Sequence, residues 1–164
     1  MSVATTTDAL WALLEEVKDP EVPVISVVEL GVLRNIELAA ETINITITPT
    51  YSGCPAMQVM EDDMRACLAK HGYEKVNFTT VLSPAWTTDW LTDSAKEKLR
   101  EYGIAPPEQA TSDKSFLTGQ PKSVTCPNCG SRNTAMLSQF GSTACKALYK
   151  CSDCLEPFDY FKCL

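Results

Sequence analysis

Two Cys-x-x-Cys pairs, Cys126/Cys129 and Cys151/Cys154, constrain the C-terminal end of this chain more than any other feature. Each pair forms a knuckle that needs a tight turn with backbone N–H groups facing the sulfurs, and Gly130, directly after Cys129, permits the positive φ that closes one. Four thiolates at tetrahedral spacing favour zinc over oxygen-seeking ions. The 21 residues between Cys129 and Cys151 slightly exceed the usual spacing, and a hairpin lobe absorbs the excess. The ligand set Cys126, Cys129, Cys151 and Cys154 is therefore read as a structural Zn²⁺ site, with an iron–sulfur centre at the same sulfurs as the alternative.

Disulfides would require an oxidising compartment. The stretch from Met1 to Asp8 has neither the basic nor the apolar segment of a secretory leader, and no apolar run reaches membrane-spanning length. A cytoplasmic location is expected. The chain's eight cysteines then read as metal ligands or reactive thiols before cross-links.

Composition divides the 164 residues in two. From Ile104 to Lys122 the chain carries three prolines, small polar residues and no periodicity, which predicts a linker between a domain over 1–103 and a ribbon over 123–164. The ribbon is too short for an adequate apolar core, so metal binding must supply folding energy. Residues 1–122 hold 10 basic and 18 acidic side chains, a balance of −8, whereas 123–164 hold 4 and 3, a balance of +1. Nucleic-acid binding needs clustered cations to displace counterions from phosphates, and neither half supplies them.

In the first domain, Leu10, Leu13, Leu14 and Val17 recur at helical spacing after the Thr5–Asp8 run of N-cap oxygens. That helix stops before Asp19-Pro20. Val32 to Leu38 predicts a strand, and Ile43 to Thr48 alternates strictly, with three isoleucines on one face. Cys54-Pro55 opens a helix carrying Met57, Met60, Met64, Cys67 and Leu68 on one stripe and ending at His71-Gly72. A strand over Lys75 to Leu82 and a helix over Thr92 to Tyr102 follow. The order α-β-β-α-β-α predicts an α+β domain, a small mixed sheet covered by helices, ahead of the zinc ribbon.

Cys54 is the residue to single out in this domain. Proline at the first helical position makes it the N-cap or its neighbour, where free N–H groups and the helix dipole favour a thiolate. Cys67 falls on the apolar stripe and reads as core. His71, the only histidine, lies about 25 Å from Cys54 by helical rise, so the two cannot form a catalytic pair within one chain. It reads instead as a cation at a helix C-terminus. Glu61, Asp62 and Asp63 read as a solvated face, and Trp86 and Trp90 as packing residues. One activated thiol with no general base, phosphate loop or catalytic dyad suits a protein that handles a metal centre or a client cysteine rather than an enzyme.

The run Asp19 to Gly31, the segment Tyr51-Ser52-Gly53-Cys54-Pro55 and the segment Pro84 to Trp90 together resemble the SufT-like iron–sulfur assembly family. Joined to Cys126–Gly130, Phe140–Thr143, Cys151–Cys154 and Glu156–Phe161, the whole chain resembles the PaaD family of phenylacetyl-CoA epoxidase-associated proteins. The resemblance implies maturation of the phenylacetyl-CoA monooxygenase of aerobic phenylacetate degradation through iron–sulfur or metal-centre assembly. The clients it implies are the iron–sulfur reductase or the di-iron oxygenase subunit, with a transient iron–sulfur cluster as cargo. The family's Cys-Pro maps onto Cys54, and its acidic loop positions map onto Asp19, Glu21 and Glu29. Cys145 and Cys163 have no place in the four-ligand scheme. A thiol redox enzyme acting through Cys54 with one of them is a second reading, although no Cys-x-x-Cys contains Cys54. A zinc-ribbon interaction adaptor is a third. Neither nucleic acid nor membrane is expected as a partner, and a homodimer sharing a cluster across its interface would suit the exposed aromatics and the single thiol.

Overall fold

In the computed structural model, residues 6–108 and 123–162 are described, so Cys163 and most of the stretch read as a linker lie outside the described residues. The chain divides into two compact units, 1–86 and 87–164.

The first unit begins with α1 (Thr7–Leu14), capped by the Thr6 hydroxyl, which accepts from the Ala9 N–H at 3.2 Å. The apolar stripe continues to Val17, but the chain tightens after Leu14: the N–H groups of Glu16 and Val17 donate to Leu13 and Leu14, three residues back. Leu10 and Leu14 are fully buried. An antiparallel pair follows, β1 (Leu33–Ala39) and β2 (Thr42–Ile47), and β3 (Val76–Thr80) joins β2 in parallel, giving the mixed order β1-β2-β3. The parallel pairing follows from topology, since α2 (Ala56–Lys70) carries the chain back across the sheet between β2 and β3.

The three isoleucines of β2 face inward as their alternation requires: Ile43, Ile45 and Ile47 are 3, 1 and 0 % exposed. Met60, Met64 and Leu68 from α2 are buried with them, while Met57 is only partly covered. Burying each such side chain contributes roughly 1.5–3 kcal/mol. The Cys67 thiol donates to the Leu13 carbonyl at 3.5 Å, joining α2 to α1, and burial raises it above the ordinary thiol range, with Glu16 adding to the effect. Trp86 is buried and donates from Nε1 to the Leu30 carbonyl at 2.9 Å.

In the second unit, a single 3₁₀ turn at Thr88–Trp90 precedes α3 (Asp93–Glu101), capped by Thr92. The stretch read as linker then opens with a strand: β4 (Ile104–Ala105) pairs in parallel with Asp159 and Tyr160. It is the edge of a four-stranded sheet, β4-β7-β6-β5, whose other strands are β5 (Thr134–Ser138), β6 (Lys146–Cys151) and β7 (Pro157–Phe161). Composition places the domain boundary after Gly103, whereas the compact units divide after Trp86. The reason is physical: α3 packs on β4, and β4 is tied to β7, which draws residues 87–105 into the ribbon's unit. Ala105, Val124, Ala147, Tyr149 and Phe158 form a small core with Cys126 and Cys151. Tyr149 stacks on Phe158, with ring centroids 5.8 Å apart.

Candidate functional site

Each Cys-x-x-Cys pair sits at the end of a strand of this sheet or in the loop that faces it. Both turns have the same construction. In the first, Gly130 has φ +76° and donates to the Cys126 carbonyl at 2.9 Å, and the Cys126 N–H reaches the Ser131 carbonyl at 2.8 Å. In the second, Leu155 occupies the equivalent left-handed position with φ +66°, and the Cys151 N–H reaches the Glu156 carbonyl at 3.0 Å. Reading the sequence finds the first closure through its glycine. It misses the second, because a leucine gives no local sign of positive φ.

The turns bring the four sulfurs together. Cys126 and Cys154 are 3.8 Å apart, Cys129 and Cys151 are 3.6 Å apart, and all four lie within 4.8 Å of one another. A tetrahedral ion with metal–sulfur bonds of about 2.3 Å would set its thiolates about 3.8 Å apart, whereas a disulfide would require about 2.05 Å. The donor set and spacing therefore fit a soft four-coordinate ion. Cys126 and Cys151 are buried, Cys154 is partly covered and Cys129 is exposed, so one face of the tetrad meets solvent.

Backbone N–H groups prepare the sulfurs for charge. The Cys154 N–H, opposed by burial and reinforced by the Asp153 N–H, brings the Cys151 thiol down to about 7. At Cys154 the Glu156 N–H acts in the same direction, but burial and the three neighbouring sulfurs outweigh it and push that thiol up to about 12. Four thiolates at this spacing repel one another too strongly to shed their protons alone, and a divalent cation supplies the missing charge. Around the tetrad, Asp153 accepts from the Ser131 hydroxyl and from Asn133 Nδ2, the latter at 2.9 Å, and both bonds hold its carboxyl below the ordinary range. Sequence reasoning misses these three residues. The signal available for them is a short polar side chain beside each knuckle, a position that favours local hydrogen bonds.

In the first unit, Cys54 precedes the N-cap: Pro55 is the cap and Ala56 the first residue of α2. The Cys54 N–H donates to the Tyr51 carbonyl at 3.2 Å across a turn in which Gly53 adopts φ +80°. Nothing lies within 4 Å of where a Gly53 Cβ would be, so the backbone angle and not space requires glycine. The Cys54 carbonyl then accepts from Met57 at 3.3 Å, setting the thiol just ahead of the helix. Cys54 is 9 % exposed between exposed Gly53 and Pro55, so it lies immediately beneath the surface.

Two of the three acidic loop positions, Asp19 and Glu29, cap backbone, and Glu21 contributes its N–H to the first of these caps. Asp19, 6 % exposed, accepts from the N–H groups of Glu21 and Val22, both at 2.7 Å. Glu29, also 6 % exposed, accepts from the Ser26 N–H at 3.0 Å while the Ser26 hydroxyl accepts from the Glu29 N–H at 3.0 Å, a reciprocal capping box. The Ser26 hydroxyl also donates to Glu15 at 2.7 Å. Ladder bonds from Asp19 to Ile25 and from Val27 to Val17 close the loop at its base. Elsewhere, His71 places Nδ1 3.0 Å from the Cys67 carbonyl at the end of α2. Cys145 is buried with its sulfur 3.1 Å from the Thr143 hydroxyl, apart from the tetrad.

Two family models cover most of the chain: "Iron-sulfur cluster assembly protein" over residues 7–81 and "PaaD zinc beta ribbon domain" over residues 110–162. An Escherichia coli protein, named as one of the subunits of a "Putative 1,2-phenylacetyl-CoA epoxidase", is 48 % identical over 155 residues, covering 94 % of this chain and 92 % of the relative. A Bacillus subtilis protein named "Fe-S protein maturation auxiliary factor" is 33 % identical over 89 residues, 53 % of this chain and 86 % of the relative. Among solved structures, a domain of unknown function, DUF59, from Bacillus anthracis superposes with a TM-score of 0.52 at 28 % identity, covering 56 % of this chain and 89 % of that one. Similarity along nearly the full length, through both the assembly domain and the four-cysteine ribbon, shows that the chain belongs to the PaaD family.

Proposed function

We propose that the protein is a maturation factor for the phenylacetyl-CoA monooxygenase, or epoxidase, of aerobic phenylacetate degradation. It assists assembly of an iron–sulfur or other metal centre in a client subunit, either the iron–sulfur reductase or the di-iron oxygenase, and does not itself turn over an organic substrate. The observation that carries this reading is the state of Cys54. Among the described cysteines, four gather in the tetrad, Cys67 packs α2 against α1, and Cys145 lies buried against Thr143. Cys54, itself buried, alone lies just beneath a turn with exposed neighbours, Gly53 and Pro55, ahead of a helix and within the stretch matched by the iron–sulfur assembly family. In this reading it contacts the cluster or the client's cysteine during transfer, and Asp19, Glu21 and Glu29 belong to a supporting loop.

The tetrad is assigned to one Zn²⁺ held by Cys126, Cys129, Cys151 and Cys154. The ion supplies folding energy to a module whose apolar core is small. It is a resident staple, whereas the cluster is cargo. The first unit is similar in sequence to a protein whose name denotes maturation, which supports the reading.

The test replaces Cys54 with serine and co-expresses the variant with the client. The expected outcome is unchanged folding and zinc content in Cys54→Ser, with iron and sulfide in the client reduced severalfold. Full cluster occupancy with the variant would remove Cys54 from the mechanism.

A further inference from the structure

The side chains beside the tetrad form a connection between the two knuckles that the four ligands alone do not provide. Ser131 follows the first knuckle and Asp153 lies inside the second. Their side chains meet directly, the Ser131 hydroxyl donating to Asp153 Oδ2. Asn133 closes the arrangement from two sides: its Nδ2 donates to Asp153 Oδ1 at 2.9 Å, and its N–H donates to the Ser131 hydroxyl at 3.0 Å. The backbone repeats the link, since the Ser152 N–H donates to the Asn133 carbonyl at 2.8 Å.

The same two residues also face the sulfurs. The Ser131 N–H favours the thiolate at Cys129, and the Asp153 N–H favours it at Cys151. Those are the two sulfurs that lie 3.6 Å apart across the knuckles. One side-chain contact thus fixes the separation of a sulfur pair and aims a donor at each member. A group that orients ligands in this manner acts before the ion arrives, because it reduces the chain ordering that binding must otherwise accomplish.

We propose that Asp153 is a positioning residue that clasps the two knuckles through Ser131 and Asn133 and so presets the Cys129–Cys151 edge of the metal site. The inference rests on the reading of the tetrad as a metal centre. Asp153 itself is not a ligand and acts only through the backbone that carries the sulfurs.

The experiment uses the full chain and two probes: zinc competition against a chromophoric chelator, and cobalt(II) absorption as a report on four-thiolate tetrahedral coordination. Asp153→Ala should weaken zinc binding by about ten- to a hundredfold, the range found when groups that orient ligands are removed. Asp153→Asn, which can still accept from Asn133 and meet Ser131, should recover most of that loss. Ser131→Ala should give a smaller defect, and because Ser131 and Asp153 act as one unit, the double variant should match Asp153→Ala to within about twofold. Ser131→Ala keeps the Asn133–Asp153 bond, so it remains informative if Asp153→Ala does not fold. Parent-like affinity in both Asp153→Ala and Ser131→Ala, or full additivity in the double variant, would overturn the clasp. A parent chain that takes up cobalt without the sulfur-to-cobalt band would instead overturn the metal reading beneath it.

Discussion

At the scale of single residues, the two knuckles are alike in backbone and unlike in sequence. Gly130 takes its left-handed angle without strain, whereas Leu155 holds φ +66° with a side chain that is 67 % exposed and packs little. A left-handed L-residue costs about 1–2 kcal/mol, and glycine gives back roughly 0.5–1 kcal/mol of that through the freedom it adds to the unfolded chain. Leu155→Gly should therefore leave the metal-loaded ribbon as stable as the parent or slightly more so. Leu155→Val, β-branched at the same angle, should destabilise it by about 1 kcal/mol or more. Thermal unfolding of the two variants checks this, and a stable valine variant would contradict the assigned backbone. Trp86 offers a second residue-scale test: Trp86→Phe keeps an aromatic ring but removes the bond to the Leu30 carbonyl, at an expected cost of about 1–3 kcal/mol.

At the scale of elements, the capping box explains why an acidic residue can lie buried in the loop before β1. Ser26 and Glu29 satisfy each other's backbone N–H, and Glu29→Ala should cost about 0.5–2 kcal/mol by denaturant unfolding. An unchanged midpoint would leave the burial of that carboxylate unexplained. The Ser-x-x-Glu pattern is present in the sequence, but amid valines, after two prolines and before Gly31, it reads as an acidic loop and not as a helical turn. What is legible in the sequence is local and periodic: the isoleucine alternation of β2, the methionine stripe of α2 and the paired Cys-x-x-Cys motifs. What is not legible depends on partners distant in sequence. Strand β4 is two residues in a proline-rich stretch and exists because β7 lies beside it. Asp153 gains its role from Ser131 and Asn133, some twenty residues earlier. Pro55 places Cys54 at the helix start from sequence, and the helix begins one residue later than that proline suggests, because Pro55 serves as cap.

At the scale of the whole molecule, the two units depend on different sources of stability. The first has an extended apolar core drawn from α1, α2 and β2. The second gathers its small core around two of the tetrad's sulfurs, so it cannot be indifferent to the ion. Removing metal with a strong chelator should unfold the ribbon while the first unit keeps its helical signal, and restoring zinc should reverse the change. A single cooperative loss of all structure, or no loss, would contradict this division. The described residues contain no helix long and apolar enough to cross a membrane. The proposed action is encounter with a client through the first unit while the ribbon keeps its ion.

Maturation leaves its mark on the metal content of the client. Iron and acid-labile sulfide are quantified in the reductase and oxygenase subunits isolated from cells that express them with this chain or without it. A client filled in its presence and severalfold depleted in its absence is the expected result. Equal metal content in both preparations, for both subunits, would contradict a role in maturation.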